Sequence, residues 1–239
     1  MKGEFDVARV IANEKLAPGI YRLTAEGDYR AESGQFYMLR CWEAFPVLSR
    51  PISIHDIGPG TISFLYRVGG TGTRLLSELR PGDHLRLEGP FGQGFPKPEG
   101  RTAIVGGGMG VAPLLLAARR MQGAKVFLGF SGEPFGVSRF RGAHPDVTVV
   151  SGGTVADSVK PAVYDTIFAC GPVPLMAQLA RKAEGTGARL YVSVEKRMAC
   201  GLGACNGCAV AGNGAYRKAC VEGPVFSAGE VDFHDLLSL

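Results

Sequence analysis

Four of the six cysteines, Cys200, Cys205, Cys208 and Cys220, crowd into one short stretch of the chain. The first three follow C-x4-C-x2-C, the spacing of plant-type [2Fe-2S] ligands, and Cys220 completes a set of four thiolates. Glycines at 201, 203 and 207 suit such a loop. Backbone that wraps a cluster and turns N–H groups toward sulfur cannot carry Cβ atoms at every position. A zinc knot also takes four thiolates, but zinc sites more often pair two short hooks, and here only Cys205 and Cys208 form one. Cysteines clustered this way, without a secretion signal, read as a metal site rather than a disulfide framework.

Arg50-Pro51-Ile52-Ser53, with Leu65-Tyr66-Arg67 and Gly70-Thr71-Gly72-Thr73 downstream, forms a second candidate site. Arginine can clamp a phosphate bidentately, a strand serine can bond the edge of a flavin ring, and Gly72-Thr73 at a helix start offers N–H groups to a pyrophosphate. Each piece alone is an ordinary strand or turn; together, ahead of a nucleotide-type sheet, they become specific. The run Gly106-Gly107-Gly108-Met109-Gly110-Val111-Ala112-Pro113 follows a predicted strand and opens a predicted helix, where a phosphate would meet free N–H groups. It departs from the dinucleotide fingerprint, because Val111 stands where the third glycine belongs and no acidic residue closes the second strand before Glu133. Cys170-Gly171-Pro172 ends another predicted strand of that sheet. Cys170 could pack there against a nicotinamide or serve as a small buried hydrophobe.

The elements that position these groups fall into two patterns. Phe5–Ala12, Ile20–Thr24, Gln35–Arg40, Ile52–His55, Thr61–Arg67 and His84–Glu88 are short alternating or β-branched runs, which predict a small antiparallel barrel. A helix carrying Leu75, Leu76 and Leu79 starts near Thr73 and ends at Pro81-Gly82. Breaker-dense Gly89–Pro98 marks a boundary. Beyond it strands over 102–105, 125–129, 147–151, 167–170 and 190–194 alternate with helices over 111–122 and 173–184, the pattern of a parallel, helix-covered sheet. After Glu195 the periodicity stops, and the last segment is too small for a core of its own. The expected domains are a barrel over 1–98, an α/β domain over 99–194 and a cysteine module over 195–239.

The 239 residues include 35 glycines, about double the usual share, without a collagen period and beside 46% hydrophobic residues. Turns and backbone approaches to ligands account for such an excess; disorder does not. A net charge of +4 with scattered basic residues gives no nucleic-acid stripe. Val111–Ala118, the longest apolar run, is too short to span a bilayer, and Met1–Asp6 lacks the apolar stretch of a secretion signal, so the chain reads as cytoplasmic. No paired carboxylates or His-Asp-Ser set is placed for hydrolysis, and His55, His84, His144 and His234 are isolated.

Arg50–Ser53, Gly72-Thr73, Gly106–Pro113, Cys170–Pro172 and the four-cysteine tail, in this order, resemble the ferredoxin-reductase-like flavoprotein superfamily. Within it, Glu195–Cys208 followed by Tyr216–Phe226 is similar to the electron transfer subunits of NAD-dependent (class 1B) dihydroorotate dehydrogenases. The resemblance implies an α+β multi-domain fold: a β-barrel for FAD, an α/β domain for NAD(H) and a [2Fe-2S] module. It further implies an oxidoreductase subunit of pyrimidine biosynthesis, paired in a two-plus-two heterotetramer with a flavin mononucleotide-bearing catalytic subunit that oxidises dihydroorotate. By position, Arg50–Ser53, Leu65–Arg67 and Gly72-Thr73 would hold FAD, Gly106–Gly110 and Cys170–Pro172 the nucleotide, and Cys200, Cys205, Cys208 and Cys220 the cluster. The flavin and iron-sulfur subunits of NADPH-ferredoxin transhydrogenases and some hydrogenases share the barrel, the glycine loop and a similar tail. A zinc-stabilised binding module survives only if the flavin and nucleotide motifs are both coincidences.

Overall fold

The computed structural model describes residues 5–237. Its first part is a closed six-stranded barrel of β1 (Phe5–Ala17), β2 (Ile20–Glu26), β3 (Phe36–Arg40), β4 (Arg50–Gly58), β5 (Thr61–Arg67) and β6 (His84–Phe91), in the order β1-β2-β5-β4-β3-β6. Strand alternation sends Leu23, Ile54, Ile62, Phe64, Leu85 and Leu87 inward, where each is essentially inaccessible to solvent. Closure leaves no edge to aggregate. Helix α1 (Thr71–Glu78) packs on the barrel through Leu76, which is fully buried.

The second part is a six-stranded sheet. β7 (Thr102–Gly107), β8 (Lys125–Phe130), β9 (Val147–Ser151), β10 (Thr166–Cys170) and β11 (Arg189–Ser193) run parallel in the order β11-β10-β7-β8-β9. Every residue of β7 is buried, as a central strand covered on both faces requires. The cover includes α2 (Leu114–Arg120), α3 (Val137–Ala143) and α4 (Val173–Ala183).

Three features depart from the sequence-based expectation. The glycine run does not open directly into a long helix: Gly108–Val111 form a 3-10 turn, and α2 begins only after Pro113, its N-cap. Proline supplies no N–H, so the helix start offers a phosphate less than expected. The tail contains a hairpin, β12 (Ala209–Gly212) and β13 (Ala215–Lys218), joined by Asn213-Gly214, both with positive φ. That Asn-Gly pair is the strongest short-range hairpin signal and was legible. The tail also does not stand apart at residue 195. Strand β14 (Val225–Ser227) pairs antiparallel with β11, adding an edge to the parallel sheet, and α5 (Phe233–Leu237) follows.

Barrel and sheet meet through shared apolar clusters, with Leu116 of α2 in the barrel core and Ile20 and Leu65 clustered with Ile104 and Val111, and through ion pairs and one buried hydrogen bond. Arg119–Asp56 (2.8 Å), Arg120–Glu32 (3.0 Å) and Arg139–Glu14 (3.2 Å) cross the junction at the surface, where such pairs contribute little. His55 is inaccessible to solvent and its Nδ1 lies 2.8 Å from the Ala112 carbonyl. A carbonyl only accepts, so Nδ1 carries the hydrogen, and Nε2 is buried without a partner.

Burial, aided by Arg22, Arg139 and Arg119 and opposed by the Ala112 bond, pushes the His55 imidazole down to about 4. The unfolded chain takes up this proton near pH 6.5, whereas the folded chain refuses it down to about pH 4. Stability from this group is therefore full above pH 6.5 and lost as pH falls through that window, by up to roughly 3 kcal/mol. Urea midpoints should fall more steeply from pH 6.5 to 4 in the wild type than in His55→Gln. Parallel slopes would contradict the assignment.

Candidate functional site

A cleft of about 630 Å³ lies between the two parts, a size suited to a cofactor. One wall is barrel: Pro51, Ile52 and Ser53 of β4, with Leu65, Tyr66 and Arg67 of β5. Leu65 and Tyr66 are buried, the Tyr66 hydroxyl lying 3.3 Å from Asn13 Oδ1, so Arg67 is the exposed member of its triplet. The facing wall is Gly107–Gly110 after β7 and Cys170–Pro172 after β10. Those strands are neighbours with Cys170 opposite Gly106, and their carboxyl ends form the crevice where open α/β sheets bind ligands.

Arg50, Gly72, Thr73 and Gly106 are outside this lining. The Arg50 guanidinium instead lies against the start of α1, where a Cβ on Gly72 would sit 2.5 Å from its Nε. Arg50 Nη1 donates to the Leu48 carbonyl (2.6 Å), and the guanidinium carbon lies 5.6 Å from the Trp42 ring centroid. A cation fixed this way beside a helix start suits a phosphate group. The Thr73 hydroxyl is committed locally, accepting from the Gly69 and Gly70 N–H groups and donating to the Gly70 carbonyl.

The glycines of the loop serve different needs. Gly108 has φ +54° with open space around it, whereas a Cβ on Gly110 would run into the Cys170 carbonyl and the Gly171 nitrogen. Gly106 and Gly107 face Leu114, Val111 and Leu175 side chains. Backbone cannot yield as a flexible side chain can, so Gly110→Ala is expected to cost 1–3 kcal/mol or more by roughly the overpacking scale. Gly108→Ala should cost only about 1 kcal/mol, the positive-φ penalty. Denaturant titration of the two variants checks the ranking.

Sequence reasoning missed Glu195, Lys196, Met198 and Leu236, all of which line the cleft. Glu195 and Lys196 follow β11, and the strand-end rule that singled out Cys170 could have found them. Lys196 is nearly buried and pairs with Asp235 at 3.3 Å, which draws α5 to the cleft. Desolvation at the cleft wall pushes the Glu195 carboxyl up, with Arg67 opposing, although the residue keeps an exposed surface. Burial strongly raises the Cys170 thiol, which is therefore a neutral, compact wall and not a nucleophile.

A second hollow, lined by Arg197, Asn206, Gly207 and Ala209, shares Glu195 and Lys196 with the cleft. Asn206 and Gly207 of its lining lie between Cys205 and Cys208 in the chain. Cys208 and Cys220 are buried with their sulfurs 3.3 Å apart, while Cys200 and Cys205 hydrogen-bond on the outer loop. The Leu202 N–H points at Cys200 Sγ (3.4 Å), joined by those of Cys205 and Ala204, and these donors lower the thiol to about 6. Burial and Cys208 push Cys220 up to about 12, against an N–H from Gly203. Positive φ at Gly201, Gly203 and Asn206 turns the loop. Among the described residues no three ligating side chains converge on one point, so the structure brings the thiols together only as two pairs; two pairs of thiolates are the donor set of a binuclear cluster with two per iron.

A closed barrel facing a parallel sheet across a cofactor-sized cleft defines the ferredoxin-reductase-like flavoprotein class. Solved structures agree. The structure reported as "Insights into flavin-based electron bifurcation via the NADH-dependent reduced ferredoxin-NADP oxidoreductase structure" aligns at a TM-score of 0.85 and 26% identity, over 100% of this chain and 94% of that one. The ferredoxin reductase in carbazole 1,9a-dioxygenase aligns at 0.64 and 20% identity, over 77% of this chain and 66% of that one.

The family model for the iron-sulfur cluster binding domain of dihydroorotate dehydrogenase B matches residues 195–232. The dihydroorotate dehydrogenase B (NAD(+)) electron transfer subunit of Clostridium acetobutylicum is 40% identical, across 98% of this chain and all of that one. Its counterpart in Caldanaerobacter subterraneus is 37% identical, across 95% and 98%. The chain belongs to the family of dihydroorotate dehydrogenase B electron transfer subunits.

Proposed function

We propose that this chain carries electrons between the catalytic subunit of a dihydroorotate dehydrogenase and NAD+, and that the residues above hold its cofactors. It is an oxidoreductase subunit that uses FAD, a [2Fe-2S] cluster and NAD(H). The observation that carries the reading is the continuity of the site: the segment leaving the cleft at Glu195 reaches Cys200 through Met198, itself in the cleft wall. When bound, FAD would supply the conversion between two-electron hydride exchange with nicotinamide and the single electrons a cluster handles.

The chain's own residues position these groups. Ser53 would bond the flavin edge, Arg50 and the start of α1 would hold the pyrophosphate, and Gly107–Gly110 with Cys170–Pro172 would seat the nucleotide. Cys200, Cys205, Cys208 and Cys220 would ligate the cluster, with the loop N–H groups and burial setting its potential.

A catalytic partner subunit follows from the family; we further propose that it bears flavin mononucleotide, that the complex is a two-plus-two heterotetramer, and that it works in the cytoplasm. Among the described residues no helix is long and apolar enough to cross a membrane. The test is the colour of the purified chain. Flavin bands and a broad iron-sulfur absorption, both bleached by NADH, are expected; a colourless protein with stoichiometric zinc would overturn the reading.

A further inference from the structure

We propose that His55 is a positioning residue that sets how the nucleotide half of the cleft faces the flavin half. The pairing of β4 with β5 shifts between Ile54 and Asp56, which puts His55 in a β-bulge. Bulges re-aim a side chain, and this one lies two positions beyond Ser53, on the strand that forms the flavin wall. The re-aimed ring leaves the barrel and donates from Nδ1 to the Ala112 carbonyl (2.8 Å). Ala112 lines the cleft and ends the turn Gly108–Val111 of the nucleotide wall. One buried side chain thus joins the two walls at the cleft.

Apolar packing of Leu116 in the barrel core, and of Ile20 and Leu65 with Ile104 and Val111, presses the two parts together but is non-directional. Arg119–Asp56, Arg120–Glu32 and Arg139–Glu14 each have exposed, flexible members, so they hold the parts together without fixing a distance. The His55 bond is desolvated and directional, and its acceptor is main chain. A misplacement of about 1 Å between reacting partners can cost on the order of 100-fold in rate, so a short strut here governs hydride transfer without touching either partner.

The inference rests on the flavin and nucleotide reading above. The test uses the FAD-loaded chain with His55→Leu, which keeps an apolar body but loses the donor, and His55→Gln, which restores an amide donor. ADP-ribose titration reports the nucleotide wall alone, and flavin content after gel filtration reports the barrel alone. Both should stay within about twofold of wild type in His55→Leu. Its flavin reduction by NADH should slow by about tenfold or more, with loss of the long-wavelength band that nicotinamide stacked on flavin gives. His55→Gln should recover most of the rate and the band.

A folded His55→Leu chain with a wild-type rate overturns the proposal, as does parallel loss of flavin, ADP-ribose binding and rate. If His55→Leu does not fold, His55→Gln decides: a folded Gln variant with the slow rate also overturns it. Failure of the wild-type chain to retain FAD would overturn the functional reading instead.

Discussion

Cys205→Ser is expected to cut the electron path while leaving its NADH end working. Cys205 is the exposed member of the outer thiol pair, and most of the cleft's barrel and sheet walls lie upstream of it in the chain. NADH oxidation by a small artificial acceptor that draws electrons from FAD should persist. Dihydroorotate oxidation linked to NAD+ by the complex with the catalytic subunit should fall by roughly two orders of magnitude or more. Outer-shell contacts at metal sites already cost about 10–100-fold, and a ligand is worth at least that. A loop that folds around a metal group can lose its docking surface with that group, so gel filtration must first establish that the variant still assembles. An assembled, cluster-free complex that couples at the wild-type rate would show that the cluster is not the conduit.

The second large effect is on flavin retention. Arg50→Ala removes a guanidinium held in place by the Leu48 carbonyl, the Trp42 ring and the Cβ-free face of Gly72. A lost charge-assisted contact to phosphate costs roughly 1.5–3 kcal/mol, or about 10- to 100-fold in FAD affinity. The cysteine loop lies elsewhere, so iron content should hold. The ratio of flavin to iron after gel filtration reads the effect directly, and equal loss of both would make Arg50 a folding residue. Arg50→Lys should recover only part of the affinity, because an ammonium lacks the fork that can grip a phosphate with two parallel bonds.

Sequence periodicity reported the elements well where packing is simple. Alternation in the barrel and the fully apolar Ala103-Ile104-Val105 of β7 follow directly from which faces are covered. Cysteine spacing reported the thiol set for the same reason: the chemistry is local in the chain. His55 was illegible because its partner, Ala112, is distant in sequence and its direction depends on a bulge that no residue pattern marks. Glu195 and Lys196 stood in plain view, but their place in the cleft depends on where β11 ends. The glycine run misled in one respect. It pointed to a ligand alone, whereas Gly106, Gly107 and Gly110 also have a packing reason to be small, because neighbouring side chains and the β10–α4 backbone press against them.

The pairing of β11 with β14 changes what the cysteine segment is. Val194 N–H donates to the Pro224 carbonyl, and Ser193 lies opposite Val225, so the chain leaves the sheet edge and returns to the adjoining strand. Residues 195–224 are therefore an excursion with neighbouring ends, topologically an insert between two paired strands, and its first residues, Glu195, Lys196 and Met198, still line the cleft. Replacing its outer part, 199–222, with a short turn is a route to a cluster-free flavin reductase that keeps its sheet edge and its cleft wall. Transplanting the excursion between two hydrogen-bonded edge strands of another reductase is the matching route to a wired one. The electron outlet is a cassette defined by the two strands that bracket it, not by the end of the polypeptide.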